Sequence, residues 1–220
     1  PLATPELSVE QAFEEIINFA KISKNGADYA KSAINEADSD KFEELRKKLV
    51  KYEEISDRIE YEIATFLNKV SAEEISESTS VKIKAMYKII GELESLGDSG
   101  ETLSRILSRK NIHKKEFDSE SIKNLNAMAD TVSAAYDVMI ENLTAAHKGE
   151  LVEISNAYNA EDRLNTLRNN LRDSVIENID SKGDNYQASV YFIDIINTYE
   201  QMGDFMINVS QDLERAFVRK

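Results

Sequence analysis

The sequence predicts an all-α protein of two tandem three-helix bundle repeats, six long antiparallel helices in total. Three observations lead there. Both prolines, Pro1 and Pro5, lie at the N-terminus, and none follows from Glu6 to Lys220. Proline breaks helices more strongly than any other residue, so its absence permits long ones. The seven glycines form no Asn-Gly or Asp-Gly hairpin turn between alternating segments, which argues against a β fold. Third, one phrase is written twice. Ile89, Ile90, Glu94, Gly97 and Asp98 recur as Ile195, Ile196, Glu200, Gly203 and Asp204, 106 positions on in a chain of 220. An offset near half the chain length is the mark of a duplicated unit.

The helices follow in order. Ser8-Val9-Glu10-Gln11 has the form of a capping box and predicts a first helix over 8–37, with Ala12, Ile16, Phe19, Ile22 and Tyr29 as its apolar stripe and Gly26 interrupting it. The acidic run from Glu36 to Asp40 breaks it. A second helix reaches about Lys69, with Phe42, Leu45, Leu49, Tyr52, Ile55, Ile59, Ile63, Phe66 and Val70 stepping by three or four. This is the strongest periodicity in the chain and predicts one buried face. Ser71 to Glu74 reads as the cap of a short turn, and Ser76 to Ser80 as a loop or a frayed start. The third helix carries Met86, Ile89, Ile90, Leu93, Leu96, Leu103 and Ile106 to about Lys110.

The second half repeats the scheme. Asp118 or Ser119 opens a fourth helix with Leu125, Met128, Val132, Tyr136, Met139 and Leu143 on one stripe. It closes at Gly149, just past His147 and Lys148, cations suited to a helix C-terminus. A fifth helix is expected over 151–179, a turn over 180–184, and a sixth helix through Val190, Ile193, Ile196, Phe205, Val209, Leu213 and Phe217. The division is a leading linker at 1–7, a first repeat at 8–110, a basic linker at 111–117 and a second repeat at 118–220. Short connections make neighbouring helices antiparallel.

Composition narrows the function. With 27 basic and 41 acidic residues the net charge is −14. That disfavours nucleic acid as a partner, because duplex binding depends on basic surface, and it is compatible with cation binding. The chain has no cysteine, hence no disulfide, thiolate metal site or cysteine nucleophile. No run approaches the ~18 apolar residues of a membrane span. Arg109, Lys110, His113, Lys114 and Lys115 form one basic cluster, either a solvated linker at the end of the third helix or a contact for an anionic lipid surface or phosphate.

The chemistry lies in carboxylates four residues apart, a spacing that sets both on one helix face. Glu94 and Asp98 pair on the third helix, Glu200 and Asp204 on the sixth, and Glu53 and Asp57 on the second. Counting on by 108 from the second helix gives Glu161 and Asn165 on the fifth, flanked by Leu167 and Leu171 where Ile59 and Ile63 stand. Chance alone gives about eight acid pairs at this spacing on the solvated faces of so acidic a chain. It does not readily give the same pair at equivalent positions of duplicated helices. Carboxylates without Cys or His are hard donors, suited to Mg²⁺, Ca²⁺, Mn²⁺ or iron. If the second and third helices are neighbours, Glu53, Asp57, Glu94 and Asp98 share a cation, and Asn165 weakens the second site. Gly97 and Gly203 serve either close helix packing or room for a ligand.

Other chemistries are disfavoured. A ferritin-like di-iron site needs Glu-x-x-His on two helices, but Lys110 and Thr144 stand three residues before His113 and His147. Both histidines fall near helix ends, where solvated or capping roles are expected. Neither a nucleophile constellation nor a glycine-rich phosphate loop is present. A carboxylate-held metal could hydrolyse phosphoesters, but no positioned base accompanies it.

Glu94-Ser95-Leu96-Gly97-Asp98 and Glu200-Gln201-Met202-Gly203-Asp204 resemble the Glu-Arg-Ile-Gly-Asp phrase of PhoU proteins, bacterial regulators of phosphate uptake. The likeness spans essentially the whole chain. It implies two three-helix repeats, each with Glu/Asp-x-x-x-Asp motifs on two helices, and it implies metal at Glu53, Asp57, Glu94, Asp98, Glu161, Glu200 and Asp204. In that family such acids accompany iron or zinc clusters; Mg²⁺ or Mn²⁺ would suit the same oxygens. Asn165 departs from the motif, and Ser95 and Gln201 stand where arginine is usual. The run from Leu2 to Ala12 resembles the segment after the last membrane span of bacterial Na⁺/phosphate cotransporters, which carry a cytosolic PhoU-like domain. A chain opening on Pro1 suits a piece cut there. The resemblance implies a non-enzymatic regulatory domain, cytoplasmic at the inner face of the membrane. Its partner would be the transporter domain of the same polypeptide or a separate phosphate transporter; a homodimer is compatible. The alternative is a structural or adaptor bundle without metal.

Overall fold

The computed structural model describes residues 4–152, 154–179 and 186–217. Six helices run in chain order: α1 (Pro5–Asn35), α2 (Ser39–Ser71), α3 (Glu77–Ile112), α4 (Ser119–His147), α5 (Ile154–Ile179) and α6 (Tyr186–Phe217). They form an all-α bundle of two three-helix repeats.

Side-chain oxygens open four of these helices, because the first backbone N–H groups have no partner inside the helix. Asp38 accepts from the Lys41 N–H at 2.9 Å, Ser76 from Thr79 at 3.1 Å and Asp118 from Ser121 at 2.8 Å. The expected start of α1 is wrong by three residues. Thr4 is the cap, accepting from the Leu7 N–H at 3.3 Å, and Pro5 takes the first helical position, where its missing N–H costs nothing. Ser8 is buried one turn inside. Ser76, expected in a loop or frayed end, is an ordinary cap. At the end of α4, Gly149 turns the chain at φ 71°, a conformation open to glycine, and its N–H bonds to the Ala146 carbonyl at 3.1 Å. The start of α5 falls at Ile154 rather than Leu151. The turn expected over 180–184 lies outside the described residues.

The centre of the molecule is a ring of four helices. α1 packs on α3 and α4, and α6 packs on α3 and α4. α2 lies outside the α1–α3 edge and α5 outside the α4–α6 edge. The α4 stripe is wholly buried, Leu125, Met128, Val132, Tyr136, Met139 and Leu143 alike. Each such side chain contributes about 1.5–3 kcal/mol. The strong stripe of α2 fares otherwise. Phe42, Leu49, Ile63 and Val70 are buried, but Leu45, Tyr52, Ile55 and Ile59 are half-buried and Phe66 is exposed. A helix touching only two others cannot cover so wide a stripe.

The repeats meet on antiparallel seams. Between α1 and α4, the Ser23 and Tyr136 hydroxyls bond at 2.7 Å, Lys31 pairs with Asp130 at 2.6 Å, Lys24 pairs with Asp137, and Asn35 and Asn126 exchange amide bonds. Between α3 and α6, the Asn208 amide donates to Glu92 at 3.4 Å. Each seam joins equivalent helices, as a pseudo-twofold requires. No described helix is long and apolar enough to cross a membrane.

Candidate metal centre

The carboxylates project from two helix pairs, α2 with α3 and α5 with α6. Both pairs close to very short range at the duplicated glycines. A Cβ added to Gly97 would lie 2.6 Å from the Ser56 Cβ, and one added to Gly203 would press on Leu164. Ser56 and Leu164 are equivalent at the offset of 108. The glycines therefore serve close packing, and that packing sets the motif acids of adjacent helices face to face.

In the first repeat Glu53, Asp57 and Asp98 each offer an oxygen, and these oxygens lie within 4.8 Å of one another. A cation that holds oxygens at about 2.3–2.6 Å can bridge donors up to roughly 5 Å apart. Glu94 faces Asp98 and Asp57, either of which can accept its one carboxyl proton. Burial, these two acceptors and the neighbouring charges of Asp98 and Glu60 push the Glu94 carboxyl up to about 9. Burial also raises Asp98, as do the charges of Asp57 and Glu101. Glu53 rises for the same reasons, burial first and then Asp98. At neutral pH the cluster thus keeps a proton on Glu94 as its internal neutraliser. One Asp98 oxygen, Oδ1, is buried without a hydrogen-bond partner. An orphaned carboxylate oxygen among oxygen donors fits a hard cation, with Glu53, Asp57, Glu94 and Asp98 as its holders.

Glu60 belongs to this cluster although the four-residue motif does not include it. Its carboxyl is raised by burial and by the charges of Asp57 and Asp98. The signal was available: Glu60 stands seven residues past Glu53 and continues the same face by two turns. Glu101 borders the cluster as well, but Arg46 and Arg105 each pair with it at 3.4 Å.

In the second repeat Glu161 faces Asp204 and Asn165, and Glu200 faces Asp204. Glu161 is raised by burial and then by Asp204. Glu200 is raised by burial and Asp204, while Arg168 pulls it down. All seven motif acids therefore gather at two clusters, one per repeat.

The remaining candidates behave as helix-end residues. His113 caps α3 and stacks on Tyr191 at 6.4 Å. His147 stacks on Phe13 at 5.6 Å and lies 3.6 Å from Glu14. In the basic cluster, Lys110 sits 5.0 Å over the Phe117 ring, and burial lowers its ammonium.

The bundle of two three-helix repeats is a fold shared with solved PhoU proteins. The chain is similar to PhoU from Pseudomonas aeruginosa, with a TM-score of 0.83 at 12% identity, over 96% of this chain and 97% of that one. It is also similar to the phosphate transport system regulatory protein PhoU from Streptococcus pneumoniae, with a TM-score of 0.78 at 14% identity, over 99% and 100% of the two chains. These likenesses establish the PhoU fold. No family model and no curated protein matches the sequence.

Proposed function

We propose that this chain is a non-enzymatic regulatory domain of phosphate transport that holds a divalent metal in its first repeat. Its two repeats are 8–110 and 118–220. The observation that carries the metal reading is the convergence of Glu53, Asp57 and Asp98 on one point, with an unpartnered buried Asp98 oxygen beside them. The transport reading rests on likeness of fold to two PhoU proteins along nearly the whole chain. The finer form of the reading is a cytoplasmic domain at the inner membrane face that modulates a Na⁺/phosphate cotransporter, either on the same polypeptide or as a separate chain. Metal occupancy would act by fixing the distance between α2 and α3.

Metal analysis of protein purified from metal-replete medium tests the first part. Bound Mn²⁺, iron or zinc in the wild type, lost in Asp98→Ala, is the expected result; no bound metal sinks it. Phosphate uptake in cells expressing the parent protein with Asp57→Asn and Asp98→Asn tests the second. Altered uptake is expected, and unchanged uptake favours an adaptor bundle.

A further inference from the structure

The two clusters differ most at one position. Glu60 lies seven residues past Glu53, and Arg168 lies seven past Glu161, so the 108-residue offset sets a cation where the first repeat has an acid. Arg168 is half-buried, and its Nη1 donates to the Asn197 side-chain oxygen at 3.3 Å. Asn197 is one turn before Glu200 on α6. The Nε of Arg168 is buried with no hydrogen-bond partner, which leaves an unanswered charged donor beside the cluster. The guanidinium also draws the Glu200 carboxyl down against its burial. The first repeat has no cation at the equivalent position, and its nearest arginines, Arg46 and Arg105, pair with Glu101 at the border. There the equivalent of Asn197 is Gly91, which has no side chain to hold a long cation, and Glu60 adds negative charge. Asn165 completes the contrast by removing a carboxylate where Asp57 keeps one.

We propose that Arg168 is the built-in counter-ion of the second cluster, so that the α5–α6 pair is held without metal and the chain carries one metal centre, in the first repeat. A cation entering beside Glu200 would meet a fixed positive charge and one carboxylate fewer. The count of one centre rests on the metal reading above; the counter-ion role does not.

Thermal unfolding in EDTA tests that role. Arg168→Met should lower Tm by several degrees, Arg168→Lys should keep most of the stability, and Glu200→Gln should restore Tm when added to Arg168→Met. If Arg168→Met does not fold, recovery of folding in Arg168→Met/Glu200→Gln is the same result. An unchanged Tm in Arg168→Met, or no rescue by Glu200→Gln, overturns the proposal, since lost packing would not respond to removing an acid. Equilibrium dialysis with Mn²⁺ tests the count. Asp57→Asn/Asp98→Asn should abolish binding, Asp204→Asn should leave it unchanged, and Asn165→Asp/Arg168→Glu should add a second centre. Binding reduced by Asp204→Asn, or a folded Asn165→Asp/Arg168→Glu with no added binding, overturns it. No Mn²⁺ bound by the wild type, with the Glu200→Gln rescue intact, would defeat the metal reading and uphold the counter-ion.

Discussion

The α2–α3 and α5–α6 pairs share backbone, glycine contact and motif spacing, yet they balance charge in opposite ways. The first gathers Glu53, Asp57, Glu60, Glu94 and Asp98 and lowers its charge by keeping a proton on Glu94. The second gathers Glu161, Glu200 and Asp204 around Asn165 and has a guanidinium at hand. Carboxylates in one place thus do not define a ligand site. What distinguishes the halves is whether the charge is already answered from within, because unanswered negative charge is what an external cation relieves.

The largest effect separating the halves is the response to metal. A cation at 100 times its Kd stabilises a folded protein by about 2.7 kcal/mol. Mn²⁺ should raise Tm and EDTA should reverse the rise; Asp98→Asn should cancel both, and Asp204→Asn should cancel neither. The metal-free protein should carry the same asymmetry in its pH dependence. Glu94 titrates at about 9 when folded against an ordinary 4.5. Between those values the folded chain binds more protons than the unfolded one, so stability falls as pH rises through this window. Glu94→Gln, which imitates the protonated acid, should flatten that fall. With metal the trend reverses, since ligation needs the carboxylates ionised. Chemical denaturation at pH 5, 7 and 9, with and without Mn²⁺, reads both. A metal-free stability that rises from pH 5 to 9 would contradict the proton held on Glu94.

The glycine contacts give a smaller difference. An alanine at 97 would drive its Cβ into the Ser56 Cβ, which no rotamer change can move. An alanine at 203 would meet the end of Leu164, with the next side-chain atom, Cγ, 3.6 Å away, and a leucine tip can turn aside. Overpacking costs about 1–3 kcal/mol, and alanine returns about 1 kcal/mol of helix propensity. Gly97→Ala should therefore destabilise by about 1–2 kcal/mol, and Gly203→Ala should be near neutral. Ser56→Gly in the Gly97→Ala background should recover much of the loss. Equal losses at both glycines in urea titrations would show that backbone approach, not the facing side chain, limits each site.

The sequence makes most of this architecture legible, and the reason lies in particular residues. The α4 stripe alternates cleanly because that helix belongs to the central ring and buries one continuous face. The seven motif acids could be found because duplication repeats a spacing that chance does not. The first cap differs from the expectation because Ser8-Val9-Glu10-Gln11 satisfies the capping-box pattern locally, while Thr4 caps the helix one turn earlier with Pro5 at the first helical position, a start that the capping-box pattern does not describe. The α2 stripe overstated burial because periodicity reports amphipathicity, not how many neighbours a helix has. Glu60 and Arg168 were missed because a four-residue motif stops one turn short of them. Their opposite charges are plain in the sequence, but they gain meaning only once α2 and α3, and α5 and α6, are known to face each other.

The smallest contrast lies between two buried tyrosines of the central ring, one on each helix of the α4–α6 pair. Tyr136 bonds the Ser23 hydroxyl across the α1–α4 seam at 2.7 Å, whereas the Tyr199 hydroxyl is buried with no hydrogen-bond partner. A buried hydrogen bond contributes about 1 kcal/mol net, and a buried hydroxyl without one is a cost of similar size. Burial raises both phenols above their ordinary value of 10, so both are neutral across the working pH range. Tyr136→Phe should thus destabilise by about 1 kcal/mol, softened where Ser23 turns back to a carbonyl of its own helix. Tyr199→Phe should be neutral or stabilising by up to about 1 kcal/mol. Urea denaturation of the two variants side by side reads the sign directly. A loss at Tyr199 as large as that at Tyr136 would mean that an ordered water answers its hydroxyl, and the two phenols would then be equivalent supports of the ring.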